Sequence, residues 1–342
     1  MPHLNSSSRT LALIIALFSV AASSARASAI QINAIYDSTV TGDVNAATIE
    51  STINAVILNY ESMITNAITI NVTFSELANS GATKGVVAQT VANVYAIPYS
   101  SYVSALFSHA LSADDQTAIA HLSQSATVDP VDNQSTIEMR SSLVKALGIS
   151  YFAATHASTE GTVSLNTSIM NLSRSGTQDS AKYDLQEAVS HELDEVLGMG
   201  SSLNPALPYA SPEDVFRYVA NGSGSSPCAS VKGRSYSASA AACFSIDGST
   251  GLAQFNNTGS GDAGDWLTKS GTVQVQDASG TPGSQPNLGV ELRVLDVIGY
   301  DLTPAAQFSV TSSQSAATPE PATALLFAPL AALGLALRRR KN

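Results

Sequence analysis

The chain reads as an α+β domain with a loop-rich insertion, and three observations predict it. Residues 68–74 (ITINVTF) and 161–169 (GTVSLNTSI) alternate apolar and polar side chains, the period of strands with one buried face. Residues 44–66 and 184–197 repeat apolar side chains three and four apart, the period of amphipathic helices. Residues 200–287 are dense in Gly, Ser, Asn, Asp and Pro around short apolar islands, the composition of loops and turns.

The first 27 residues precede this domain. Arg9 supplies a positive charge, residues 11–22 (LALIIALFSVAA) are apolar, and A-x-A patterns follow at 25–27 and 27–29. The run is shorter than the ~18 residues a membrane span needs. The pattern therefore predicts a signal peptide over 1–27, read by signal peptidase, and an exported protein.

The domain occupies 28–306. Residues 30–35 open it as a strand, and a helix follows over 44–66, with Ala46, Ile49, Ile53, Ile57 and Tyr60 on one face and Asp43 placed to cap it. The strand at 68–74 comes next, then helices over 99–111, 113–122 and 137–147, then the strand at 161–169. The helix over 184–197 carries EAVSHELDEVLGM at 187–199. The insertion at 200–287 has its clearest apolar islands at 216–218, 243–246 and 252–255. A last helix covers 291–300, with Leu292, Leu295 and Ile298 on one face and Gly299 ending it. Residues 307–318 form a Ser/Thr/Ala linker.

Composition narrows the function classes. Charged residues are only 13% of the chain and the net charge is −11, with no Lys/Arg cluster before the C-terminus, so nucleic-acid binding is not expected. The apolar share of 44% supplies a core, so the low charge is not a sign of disorder. Two cysteines, Cys228 and Cys243, most simply pair in an oxidising compartment. With no CxxC and no neighbouring His, they do not read as zinc ligands.

One motif carries chemistry, His191-Glu192-Leu193-Asp194-Glu195. His191 and Glu195 are one helical turn apart, so both can reach one zinc ion. Glu192 lies beside them, where it can act as general base toward a metal-bound water, as in H-E-x-x-H helices. The second His of that pattern is Glu here. In the longer pattern H-E-x-x-H-x-x-G-x-x-H, Gly198 matches the glycine, while Ser201, a poor ligand, stands at the third His. A third ligand must come from elsewhere. Glu213 and Asp214 are acids in a suitable downstream segment, and Asp214 is the favoured choice.

Other residues have plainer readings. His109, His121 and His156 read as packed or exposed, with His156 able to reach the site. Asp262 and Asp265 in GDAGDW (261–266) can bind calcium, though an Asp/Gly turn is favoured. No nucleophile elbow, phosphate loop or cysteine nucleophile is present.

The C-terminus adds a resemblance. Pro319-Glu320-Pro321, an apolar run over 322–337 and Arg338-Arg339-Arg340-Lys341 together resemble the PEP-CTERM sorting signal of Gram-negative, polysaccharide-producing bacteria. That resemblance implies recognition and removal by an exosortase. It also implies transient anchoring in the inner membrane, with the basic end on the cytoplasmic side.

Several islands extend the likeness. They are GTVSLN (161–166), HELDEVLG (191–198), DVFRY (214–218), FSIDG (244–248), GDAGDW (261–266) and LDVIGYDL (295–302). They resemble a family of bacterial PEP-CTERM proteins classed as zincin-like metalloproteases, in which Glu is usual at the second ligand position. The match spans the second half of the mature chain. It implies a zincin or metzincin-like fold, with a mixed sheet, a central site helix and the LDVIGYDL helix packed behind it. The expected function is an exported zinc-dependent endopeptidase acting on peptide or protein. The alternative is a non-catalytic envelope or biofilm-matrix protein on the same scaffold. A polysaccharide-binding module is a third reading, against which the low aromatic content (6%) weighs.

Overall fold

A computed structural model describes residues 29–203, 208–269 and 272–307. The expected signal peptide (1–27), the linker beyond residue 307 and the sorting segment (319–342) lie outside the described residues. Among the described residues, no helix is long and apolar enough to cross a membrane.

The chain opens with strand β1 (Gln31–Tyr36), the one-turn helix α1 (Ser38–Thr41), the long helix α2 (Ala46–Met63) and strand β2 (Thr69–Glu76). Strands β3 (Ala88–Ala92) and β4 (Val94–Pro98) follow, then helices α3 (Tyr99–Ser108) and α4 (Ala113–Ala120). Next come β5 (Thr136–Arg140), α5 (Ser141–Ala146), α6 (Phe152–Thr155) and β6 (Gly161–Leu165). The two-residue strands β7 (Met170–Asn171) and β8 (Tyr183–Asp184) lead into helix α7 (Leu185–Leu197).

The main sheet has the order β1-β2-β6-β3. β1, β2 and β6 are parallel, and β3 runs antiparallel to β6 at the edge. The sheet is therefore mixed and the domain is α+β. Its alternation sets the layers. Ile70, Val72, Phe74, Val163 and Leu165 are buried on one face, while Thr69, Asn71, Thr73, Thr162 and Ser164 point to the other. Helices α2 and α7 pack against the apolar face and against each other. Gly161 allows α7 to come close. A Cβ there would meet Val196 Cγ2 and Val91 O, both at 3.1 Å.

The predicted helix over 137–147 is two elements. Ile137 and Met139 alternate into the core as part of β5, which pairs with β4, and only from Ser141 does the chain turn helical. Leu143, Val144 and Leu147 carry a helical spacing that the preceding strand runs into, so the two periods merged. The cap of α2 differs as well. Asn45 sits at its N-terminus, and Asp43 instead accepts the Asn45 amide at 2.5 Å.

The insertion builds a second, antiparallel sheet in the order β10-β9-β11-β12. Its strands are β9 (Arg217–Ala220), β10 (Val231–Arg234), β11 (Ala242–Phe244) and β12 (Ala253–Gln254). Cys228 and Cys243 form a disulfide, as their number and setting predict, tying the turn at Pro227–Ala229 to β11. This sheet is not a separate body. Phe216, Phe244, Phe255 and Trp266 stack together and belong to the main core. Trp266 is fully buried, and its indole N–H donates to Glu291 Oε1 (3.0 Å) on the last helix, α8 (Val290–Ile298). Helix α8 packs against α7, with Leu292, Leu295 and Ile298 buried as their spacing predicts.

Candidate metal centre

Helix α7 sets the site. Asp184 caps it, its side chain accepting the Gln186 amide at 3.0 Å. Gly198 ends it with φ +125°, a conformation that side chains rarely adopt. Between these ends, one face packs on the sheet and the other looks into a cleft of about 580 Å³. The cleft is bounded by the segment entering β3, by α7, and by two insertion segments around 260–265 and 275–280.

The cleft brings together one group of metal-ligand character. His191, Glu195 and Asp265 offer one ligand atom each, and these atoms lie within 4.8 Å of one another. His191 Nε2 is 3.6 Å from Glu195 Oε1 and 3.6 Å from Asp265 Oδ1. His191 Nδ1 lies 3.0 Å from the carbonyl of Val275. A backbone acceptor there keeps the proton on Nδ1 and the lone pair of Nε2 toward the cleft, the arrangement of metal-binding histidines. The donor set of one imidazole nitrogen and two carboxylate oxygens fits zinc.

Glu192 also lines the cleft. Its Oε2 accepts from Thr90 Oγ1 on β3 at 2.6 Å, which fixes the carboxyl between helix and edge strand. Burial, reinforced by Glu195, pushes the Glu192 carboxyl up to about 8, with His191 and Thr90 pulling the other way. Burial pushes Asp265 up to about 7 and Asp262 to about 6. For His191, burial works against the charged form, but Asp265, Glu195 and Glu192 outweigh it and raise the imidazole well above its usual range. Acids also continue along the cleft as Glu187, Asp262 and Asp277, and among the described residues no Lys or Arg lines it.

Asp214 is not part of this group, and its place is taken by Asp265. The Asp214 carboxylate is fully buried and fully engaged elsewhere. It accepts from Ser201 Oγ (2.6 Å), Ser202 N (2.9 Å), Ser211 N (3.1 Å) and Ser211 Oγ (2.9 Å), and from Arg217 Nε at 3.3 Å. Asp214 therefore holds the loop after α7 rather than an ion. Its pairing with Arg217 nevertheless bears on the site. Arg217 stacks over Phe255 at 3.6 Å and donates to the carbonyl of Ala263, two residues before Asp265. Gly264 lets that loop press against Gly200, where a Cβ would stand 2.5 Å from the Gly200 Cα. His156 is exposed, bonds Thr155 at 3.0 Å and does not line the cleft.

Sequence reasoning also missed Gln276, which is fully buried beside the group. Its Nε2 is 3.2 Å from His191 Nε2 and donates to Asp265 Oδ1 at 3.1 Å.

Comparison with protein-family models, with curated proteins and with solved structures finds no match to this chain.

Proposed function

We propose that this chain is an exported, zinc-dependent endopeptidase with a zincin-like fold, sorted to the envelope by its PEP-CTERM-like tail. The observation that carries the reading is the convergence of His191, Glu195 and Asp265 beside Glu192 in one cleft. The mixed sheet, with β3 at its edge and α7 across it, agrees with such a fold.

A zinc ion bound by these three side chains would acidify a water and polarise a peptide carbonyl. The remaining work falls to the protein. Glu192 is the base that takes the proton, with Thr90 orienting one of its oxygens. The proton taken by Glu192 can then be handed to the leaving amine from the same carboxyl. Val275 holds the His191 tautomer. The free edge of β3 borders the cleft beside Glu192, where an extended peptide can add as a further strand.

The test is hydrolysis of an unstructured protein by the zinc-loaded chain, with Glu192→Gln beside it. The reading expects cleavage lost by roughly a hundredfold or more in the variant, the usual worth of a general base. Unchanged cleavage by Glu192→Gln would overturn the mechanism.

A second reading, a non-catalytic envelope or matrix protein on this scaffold, is favoured by Gln276. Its amide lies against two of the three ligands, and a closed shell of protein ligands is the mark of structural metal sites. Zinc binding without hydrolysis of any unstructured protein would select it.

A further inference from the structure

Gln276 carries a side chain whose geometry the three-ligand description leaves unexplained. The residue is fully buried, and its Oε1 has no hydrogen-bond partner. Such a vacancy is costly in a protein interior. Its backbone is pinned on both sides. The Gln276 carbonyl accepts from Trp266 N at 2.7 Å, and its N–H donates to Glu291 Oε1 at 3.2 Å. The side chain is thus held against His191 and Asp265 by the Trp266–Glu291 contact.

Distances tell where the amide end lies relative to an ion. Tetrahedral ligands with bonds of ~2.0–2.2 Å stand ~3.3–3.6 Å apart. The His191–Glu195 and His191–Asp265 atoms are both 3.6 Å apart, close to that spacing. The Gln276 amide end, 3.2 Å from His191 and 3.1 Å from Asp265, is close to it too. It thus stands at ligand-to-ligand distance, not metal-to-ligand distance, from both of these atoms. There the amide presents its N–H2 end, which donates to Asp265 Oδ1. An amide has the same shape at both ends, and a half-turn exchanges N–H2 for the oxygen.

We propose that Gln276 is a fourth protein ligand, through Oε1, after its amide turns over on metal binding. The inference rests on the metal-site reading above. It gives the site an imidazole, two carboxylates and a neutral amide oxygen. Asp265 and Gln276 come from neighbouring turns of the insertion, so metal binding ties the insertion to α7 at two points.

The test compares the full chain with Gln276→Leu and Gln276→Glu. Zinc affinity is measured by competition with a chromophoric chelator, and ligand number by the visible spectrum of the cobalt(II)-loaded protein. The expected result is a loss of at least ~tenfold in zinc affinity for Gln276→Leu, as even outer groups that merely orient a ligand cost that much. Gln276→Glu, which keeps an oxygen at the same reach, should bind at least as tightly as wild type and shift the cobalt bands. Should Gln276→Leu fail to fold, the band shift of Gln276→Glu carries the test. Wild-type affinity in Gln276→Leu, or unaltered cobalt bands in Gln276→Glu, overturns the proposal and leaves the three-ligand site standing. A wild-type chain that takes up neither ion overturns the metal-site reading itself.

Discussion

Asp214→Ala separates scaffold from ligand more sharply than any other change. The substitution removes the acceptor for five hydrogen bonds in a fully buried setting. The largest loss is electrostatic. Arg217 is itself only 1% exposed, so it is left as a buried charge without its carboxylate. Breaking one side of a buried ion pair costs about 3–5 kcal/mol. For a domain of this size that corresponds to a fall in Tm of roughly 5–9 °C. Thermal unfolding followed by circular dichroism measures it. Metal uptake should respond differently. At saturating zinc the folded Asp214→Ala chain should still take one ion, because no ligand has been removed, although its affinity can weaken through the Arg217–Ala263 contact that seats the Asp265 loop. Asp265→Ala should show the opposite pattern. It should lose the ion while its stability without metal falls less than that of Asp214→Ala, since Asp265 holds one amide N–H and a titratable imidazole rather than a buried arginine. An Asp214→Ala chain of wild-type Tm that no longer binds metal would refute this division of roles.

Three further outcomes are expected. Burial and the neighbouring Asp115 push Asp296 up to about 8, and its Oδ1 has no partner, so the folded state holds this proton more tightly than the unfolded chain. That contribution to stability is full below pH ~4 and is lost as pH rises toward 8. Asp296→Asn should therefore flatten the fall in stability between those limits and stabilise the protein at pH 8 by of the order of 2–4 kcal/mol, as read by urea unfolding. Reduction of Cys228–Cys243, whose separation is 15 residues, should cost about 3 kcal/mol, seen as a lower urea midpoint in dithiothreitol. Because the cleft is lined by acids and, among the described residues, by no Lys or Arg, cleaved peptides should be enriched in basic residues near the scissile bond, and Glu187→Gln should weaken that preference in a peptide-library digest.

What could be read from the sequence depended on range. His191, Glu192 and Glu195 lie within one turn of a single helix, so their period alone brings them together. The strands over 30–35 and 68–74 and the first part of 161–169 were legible for the same reason, since alternation is local, although the last strand ends at Leu165 and Thr167–Ile169 form a 3-10 turn. Asp265 was not legible as a member of this group. It reaches His191 only because the insertion's core, Phe255 and Trp266, docks on α8 and α7, and no spacing rule connects segments joined that way. The one signal was GDAGDW itself, two acids on a glycine-bent loop beside a tryptophan. Asp214 misled for the converse reason. An acid at a plausible distance downstream can equally satisfy serine hydroxyls and an arginine, and only burial decides between them. Strands β3 and β4 were missed because they flank Asn93 with short, mixed segments whose residues are mostly half-exposed.

The most direct test is the metal content of the purified chain, by elemental analysis after zinc loading, with His191→Ala and Asp265→Ala as controls. The account predicts about one zinc per chain in the wild type and none in either variant. A wild-type chain that stays metal-free, or an Asp265→Ala chain that keeps its full zinc, would contradict it.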